Sequence, residues 1–133
     1  MTDKELMALM LYGECRGESQ FGKLCVASTV MNRLELAKTK GITWWGVSVQ
    51  TIIKAPMQYQ GLVLENIQTL TKSKSLDWIM CKQVSIAVLD FGIVVPDITH
   101  FSGIEVDLEY QFQRKNFTYK FDVGNHNFYQ EEY

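Results

Sequence analysis

The sequence predicts an α+β domain that is mainly helical and carries a small sheet or hairpin near its C-terminus. Before Pro96, apolar residues recur at three- and four-residue spacing in several stretches, which is the period of an amphipathic helix. After Pro96 the pattern changes, and Phe117–Val123 alternates apolar and polar residues with the period of a half-buried strand. The length of 133 residues is typical of one domain, so we expect residues 1–133 to form a single unit.

Two long helices are predicted first. Thr2 and Glu5 have the spacing of a capping box, so a helix should begin at the N-terminus and run through Leu6–Leu11. It should end around residues 14–17, because Gly13 and Gly17 are poor helix residues. A second helix should begin near Ser19 and continue through Leu34 with the helical apolar period. We expect it to be the longest and most buried helix, and the polar, glycine-containing residues 38–46 to form the loop after it.

Two further helices are expected before the sheet. Ser48 can cap a short helix that Pro56 should stop. Residues 57–74 are polar with weak periodicity and predict a loop. The last helix should run from about Ser75 to Phe91, with Gly92 as its stop.

Composition excludes several classes of protein. Thirteen basic residues against fifteen acidic ones give a net charge of −2, which argues against nucleic-acid binding. No apolar run is long enough to span a bilayer, and the acidic N-terminus is unlike a signal peptide, so we expect neither membrane insertion nor export by a signal of its own. Cys15, Cys25 and Cys81 are an odd number without a CxxC pair, which favours reduced thiols over a disulfide framework or a zinc site.

Glu14 is the first candidate for chemistry. It lies at the end of a strongly apolar helix, where desolvation and the negative helix C-terminus both raise the pKa of a carboxyl group. A carboxylic acid that stays protonated near neutral pH is what glycosidic cleavage requires, because the leaving oxygen must receive a proton. The local pattern alone also fits a surface glutamate paired with Arg16 or Lys23.

Motifs along nearly the whole chain resemble one enzyme family. The segment Tyr12–Glu18, with the sequence YGECRGE, and the helix that ends in Asn32-Arg33 are similar to the start of the catalytic domain of the SleB-type cell wall hydrolases, which include spore cortex-lytic enzymes and related phage lysins. Gln58-Tyr59, Thr99–Phe101 and the closing Val123–Tyr129 resemble later motifs of that family in the same order. Cys15 departs from the family pattern, which usually has a small residue such as alanine there.

The resemblance implies a lysozyme-like fold and cleavage of the MurNAc–GlcNAc β-1,4 bond of peptidoglycan, most simply as a lytic transglycosylase. Glu14 matches the catalytic glutamate of the family, so the resemblance assigns it the role of general acid and base. One carboxylate then suffices, because it protonates the glycosidic oxygen and next takes the proton of the MurNAc 6-hydroxyl, which closes a 1,6-anhydro ring. No second acid stands out in the sequence as the partner that two-carboxylate glycosidases require.

Three polar residues near these motifs are candidates for substrate binding. Glu18 either orients its loop or binds sugar hydroxyls, and the alternative is a carboxylate that favours the dipole of the next helix. Gln58 can hydrogen-bond an N-acetyl group or a hydroxyl. Tyr59 either stacks on a sugar or holds the catalytic carboxyl, and the alternative is an anchor for its loop.

The C-terminal part supplies the remaining candidates. Asn125 and His126 are expected to hold the last strand or line the cleft floor, and Tyr129 to supply an aromatic wall; His100, from the Thr99–Phe101 motif, is a further candidate for substrate binding. The spacing of the histidines matches no compact metal motif and no third ligand is apparent, so we expect no metal and no cofactor. Trp44-Trp45 either packs in the fold or borders a glycan groove.

The expected partner is therefore a peptidoglycan glycan strand, bound by a monomer. Small size, reduced cysteines and the missing signal peptide favour a phage endolysin or virion-associated lysin, made in the host cytoplasm and delivered to the cell wall by a holin or a virion component. Three alternatives remain: a hydrolytic muramidase acting on the same bond, a catalytically inactive peptidoglycan-binding module of the same fold, and a bacterial spore or cell wall enzyme, which would ordinarily need an export signal.

Overall fold

The computed structural model describes residues 1–56, 58–62, 67–104 and 116–132. Residues 57 and 63–66 of the predicted loop, residues 105–115 before the predicted strand, and residue 133 lie outside this range. Five helices precede three strands in the described chain, which confirms the mainly helical α+β class. The helices are α1 (Asp3–Cys15), α2 (Gln20–Lys40), α3 (Val49–Lys54), α4 (Ile67–Thr71) and α5 (Leu76–Asp90).

Helices α1 and α2 begin where their caps predict. The Thr2 hydroxyl accepts from the Glu5 amide at 3.1 Å, and the Glu5 carboxylate accepts from the Thr2 amide at 3.0 Å, which completes the capping box. Ser19 caps α2 through the Gly22 amide. The prediction that a loop begins at Lys38 is wrong, because α2 continues to Lys40 and ends only at Gly41, whose φ of 67° fits the left-handed cap that glycine favours.

The next helices agree with the sequence except in one place. Ser48 caps α3, and Ala55, the residue before Pro56, takes the extended conformation that proline imposes on its predecessor. Helix α5 begins after Ser75, and Gly92 follows its end with a φ of 65°. The prediction of a continuous loop over residues 57–74 is wrong, since the five-residue helix α4 lies within it.

The C-terminal part forms a three-stranded antiparallel sheet. Its strands are β1 (His100–Gly103), β2 (Phe117–Val123) and β3 (His126–Glu131), in the order β1-β3-β2. The predicted strand Phe117–Val123 is therefore confirmed as β2, and a tight turn at Gly124-Asn125 joins it to β3. A shift of register between Tyr119 and Phe121 marks a bulge in β2. The alternation does not hold at Tyr119, whose side chain is exposed instead of half-buried.

The two faces of the sheet have different neighbours. Phe128 belongs to the main core and is joined there by the partly buried Phe101 and Phe121. Phe117 and Tyr129 form a separate small cluster on the opposite face. Helix α1 is buried along Leu6–Leu11 and packs against α5 and α2, so the core ends directly beneath Glu14. Among the described residues, no helix combines the length and apolarity needed to cross a bilayer.

Candidate active site

A cleft of about 390 Å³ opens where the end of α1 meets the β2–β3 turn. This volume lies within the range of sites for small ligands. Of the eight residues proposed from the sequence, four line it: Glu14, Glu18, Asn125 and His126. The first and last motifs of the chain, more than a hundred residues apart, therefore meet at one place.

Glu14 is half-buried at the end of α1, and its Oε1 accepts a hydrogen bond from the backbone amide of Gly61 at 2.8 Å. Burial raises the pKa of the Glu14 carboxyl above its ordinary value, and the Gly61 amide offsets this only in part because it favours the ionised form. No cationic side chain among the described residues forms an ion pair with it. The sequence-based expectation of a raised pKa is thus confirmed, and desolvation is its cause.

The alternative pairings of Glu14 do not form. The guanidinium of Arg16 lies over the ring of Tyr12, 4.9 Å from its centroid. The Lys23 side chain is fully buried, and its Nζ donates to the backbone carbonyl of Glu18. Arg16 and Lys23 are thereby engaged elsewhere, so the Glu14 carboxyl faces the cleft with no counter-ion among the residues that the structure describes.

Two glycines allow the contact between Gly61 and Glu14. A Cβ added at Gly13 would lie 1.8 Å from the carbonyl oxygen of Gly61, and a Cβ added at Gly61 would lie 2.5 Å from the carbonyl oxygen of Gly13. The last turn of α1 and the turn at residues 58–62 therefore touch backbone to backbone. Such an approach needs glycine on both sides, since any side chain would separate the two segments.

Glu18 fastens the β2–β3 turn to the first motif. Its Oε1 accepts from the backbone amide of Asn125 at 3.0 Å and lies 3.4 Å from Nδ1 of His126. Gly124 has a φ of 57°, and a Cβ there would lie 1.9 Å from Oε2 of Glu18. The geometry agrees with the interpretation of Glu18 as a residue that orients a loop.

His126 lines the cleft as a neutral base. Burial lowers the pKa of its imidazole below the ordinary value, and the nearby carboxylate of Glu18 offsets this only in part. The ring packs edge-on against Phe101, with centroids 5.2 Å apart. His126 is therefore uncharged at neutral pH, and its aromatic neighbours hold its orientation.

The turn that carries Gly61 is anchored by Tyr59. This side chain is only 4% exposed, and its hydroxyl is 2.8 Å from the hydroxyl of Thr29 on α2. Its ring is therefore not available to stack on a sugar, and the alternative interpretation, an anchor for the loop, describes it. Gln58 does not line the cleft either, because its Oε1 accepts from Arg33 at 3.1 Å.

Asn32 and Arg33 hold these segments together, a role that the sequence analysis missed. The side-chain amide of Asn32 donates to the carbonyls of Val95 and Ile98, at 2.9 and 2.8 Å. The buried guanidinium of Arg33 donates to the carbonyl of Thr99 at 2.7 Å and lies over the ring of Tyr59. The position of this polar pair directly after the apolar Val30-Met31 was the available signal, since a buried charge needs partners.

His100 and Tyr129 lie on the face of the sheet that is turned away from the cleft. They pair across β1 and β3 and are 4% and 6% exposed. The His100 Nδ1 is 2.9 Å from the Thr99 hydroxyl, and its ring contacts Trp45. The expectations that His100 binds substrate in the cleft and that Tyr129 forms a wall of it are therefore wrong.

The remaining candidates for chemistry are the cysteines and any metal site. Cys15, beside Glu14, is buried together with Cys25 and Cys81, and burial raises the pKa of the Cys15 thiol far above its usual range. A thiol in that state is a poor nucleophile. Over the part of the chain that the structure describes, no three His, Cys, Asp or Glu side chains are grouped so that they could hold a metal ion.

Comparison with protein-family models, with curated proteins and with solved structures gives no match for this chain.

Proposed function

We propose that this chain is a peptidoglycan glycosidase with a lysozyme-like fold that cleaves the MurNAc–GlcNAc β-1,4 bond, with Glu14 as its general acid and base. The observation that carries the proposal is the state of Glu14. Its carboxyl is half-buried at a cleft, its pKa is raised, one oxygen is held by the Gly61 amide, and no described cation pairs with it. The resemblance of Tyr12–Glu18 and Val123–Tyr129 to the SleB-type hydrolases supplies the substrate class.

The proposed reaction is a lytic transglycosylation. Because Oε1 of Glu14 accepts from Gly61, Oε2 is the oxygen that carries the acidic proton. Oε2 gives this proton to the glycosidic oxygen as the bond from C1 of MurNAc to that oxygen breaks. The resulting carboxylate then removes the proton of the MurNAc 6-hydroxyl, whose oxygen bonds to C1 and closes the 1,6-anhydro ring. Water takes no part, and Glu14 ends protonated as it began.

A hydrolytic muramidase is the second candidate, and Glu18 is the observation that favours it. Glu18 is the second carboxylate among the described residues that line the cleft, and hydrolysis with inversion uses a second carboxylate to activate water. Its Oε1 is already engaged by the Asn125 amide, however, and its side chain is only 12% exposed. We therefore favour transglycosylation, in which Glu18 is a positioning residue.

The setting that we propose is a phage endolysin or virion-associated lysin, made in the host cytoplasm and brought to the glycan strands of the wall by a holin or a virion component. The three buried cysteines, all with free thiols, agree with folding in a reducing compartment. The charge of the chain is close to balanced, so attraction to the anionic wall should depend on local contacts more than on net charge.

Digestion of purified sacculi tests the proposal. Wild type should lower their turbidity and release muropeptides, and Glu14→Gln should do neither, because an amide cannot donate the proton. Glu35→Gln is the matched control, since it makes the same change at an exposed position of α2. Equal release by wild type and Glu14→Gln would overturn the assignment, whereas binding to sacculi without turnover by wild type would favour the inactive binding module.

A further inference from the structure

The face of the sheet turned away from the cleft carries a row of aromatic side chains. Tyr129 lies at its centre, opposite His100 of β1 and Tyr119 of β2. Trp45 packs on His100 with ring centroids 4.5 Å apart, which brings the segment after α2 onto the same face. We call this surface the aromatic face, and its members are Trp44, Trp45, His100, Phe117, Tyr119 and Tyr129.

Two rings of the aromatic face are exposed and are also held in place. Trp44 is 59% exposed and Tyr119 is 54% exposed. The indole nitrogen of Trp44 donates to Oε2 of Glu131 at 3.4 Å, and the Tyr119 hydroxyl donates to Asp122 at 2.9 Å. Their polar atoms are thus occupied by the protein, while much of the rings remains open to solvent.

Glu131 holds the two tryptophans of the aromatic face against the sheet. Its side chain is buried, and its carboxylate accepts from the indole nitrogen of Trp45 as well as from that of Trp44. The Glu131 amide donates to the hydroxyl of Thr99 at 2.9 Å, next to His100. Because a buried carboxylate is stable only with such partners, the two tryptophans are tied to the sheet and lose little freedom when a ligand binds.

The chemistry of the aromatic face suits a sugar. Large exposed rings are unfavourable in water, and fixed tyrosine and tryptophan side chains offer wide contact area at low entropic cost. A pyranose ring has an apolar face of C–H groups that packs on an aromatic ring, while its hydroxyls stay in solvent. We propose that Trp44 and Tyr119 form a second glycan-binding site, separate from the Glu14 cleft, and this rests on the proposed function for the identity of the glycan as peptidoglycan.

The position of the aromatic face supports one glycan strand as the occupant of both sites. The β2–β3 hairpin carries Asn125 and His126 of the cleft at its turn, and Tyr129, paired with Tyr119, lies three residues further along β3. Three residues of a strand span roughly 10 Å, and because the two sites lie on opposite faces of the sheet, a strand that contacts both must also pass round the hairpin, which a polymer of sugars is long enough to do. Simultaneous contact at two sites raises the affinity for a polymer over that for a short fragment.

Binding to intact sacculi tests this site without cleavage. All variants carry Glu14→Gln so that the wall is not digested, and the fraction of protein that pellets with sacculi is titrated. Trp44→Ala and Tyr119→Ala should each weaken binding by about threefold to tenfold, the size expected for loss of one aromatic contact. Phe91→Ala is the matched control, because Phe91 is 74% exposed at the end of α5, and it should bind like the parent. Tyr119→Phe keeps the ring and should retain most of the affinity.

Several results would overturn the second site. They are unchanged binding by both alanine variants, an equal loss in Phe91→Ala, or a change of oligomeric state in the alanine variants during sedimentation, which would make the aromatic face an interface between copies. If Trp44→Ala does not fold, as judged by thermal unfolding, Tyr119→Ala decides alone. Failure of the proposed function is distinguishable, since it would appear as muropeptide release that Glu14→Gln does not stop, whatever the binding results.

Discussion

Replacement of Gly13 by alanine tests the close approach that places Gly61 on the catalytic carboxyl. Gly13 lies inside α1, where a change from glycine to alanine ordinarily stabilises a helix by roughly 0.5–1 kcal/mol. Here the new Cβ would lie 1.8 Å from the Gly61 carbonyl oxygen. Ordinary contact begins at 3.4 Å, so the two segments must separate by about 1.6 Å (3.4 − 1.8). The 2.8 Å hydrogen bond to Glu14 does not survive such a separation.

We therefore expect Gly13→Ala to destabilise the protein by roughly 1–3 kcal/mol, the cost of overpacking, and to reduce muropeptide release by about 100-fold through misplacement of Glu14. Urea unfolding gives the first quantity, and digestion of sacculi gives the second. Gly17→Ala is the control, because nothing lies within 4 Å of its added Cβ, and it should stay within about 0.5 kcal/mol of wild type. A Gly13→Ala protein as stable and active as wild type would refute the contact.

Three further predictions concern pH, the hairpin and the thiols. Activity should fall as pH rises through the raised pKa of Glu14, because the ionised carboxylate has no proton to donate. Wild type should also lose stability relative to Glu14→Gln over the same pH range, because a carboxyl with a raised pKa stabilises the fold only while it is protonated. A pH–rate profile that falls at the pKa of an ordinary glutamate would contradict this prediction. Gly124→Ala should destabilise the protein by roughly 1–3 kcal/mol in urea, since its φ is 57° and its Cβ would meet Glu18, and a neutral effect would mean that Glu18 does not hold the turn. Burial raises the pKa of the Cys25 and Cys81 thiols to about 11 and that of Cys15 still higher. A thiol reagent at pH 8 should therefore label the native protein slowly, and it should label all three thiols rapidly after unfolding in urea. Fast labelling of the native protein would show that the thiols are accessible.

The helices were predictable because residues at their ends determine where each one begins or stops. Thr2, Ser19, Ser48 and Ser75 each cap a helix with their own hydroxyl, and Pro56 stops one, so a window of a few residues determines the outcome. Helix α4 was missed because it has only five residues, too few to show a helical apolar period. The end of α2 was misplaced because Lys38 and Lys40 are compatible with either state and only Gly41 breaks the helix.

The sequence predicted the candidate acid of the site, but it did not predict the contacts that hold this acid in place. Glu14 stood out because a carboxyl follows a strongly apolar helix, and Glu18 because it belongs to the same motif. The donor to Glu14 is the backbone amide of Gly61, so no residue type in the sequence could predict this hydrogen bond. Tyr59 and His100 carry the same chemistry in a cleft as in a core, and which of the two they occupy depends on distant partners such as Thr29 and Trp45.

Mass spectrometry of the products from purified sacculi tests the central claim most directly. For wild type we expect muropeptides that end in 1,6-anhydro-MurNAc, which are lighter by one water than hydrolysis products, and for Glu14→Gln we expect none. Reducing MurNAc ends would replace transglycosylation with hydrolysis and leave Glu14 as the acid. Release of either product by Glu14→Gln at the rate of wild type would contradict the assignment of Glu14 as the group that protonates the glycosidic oxygen.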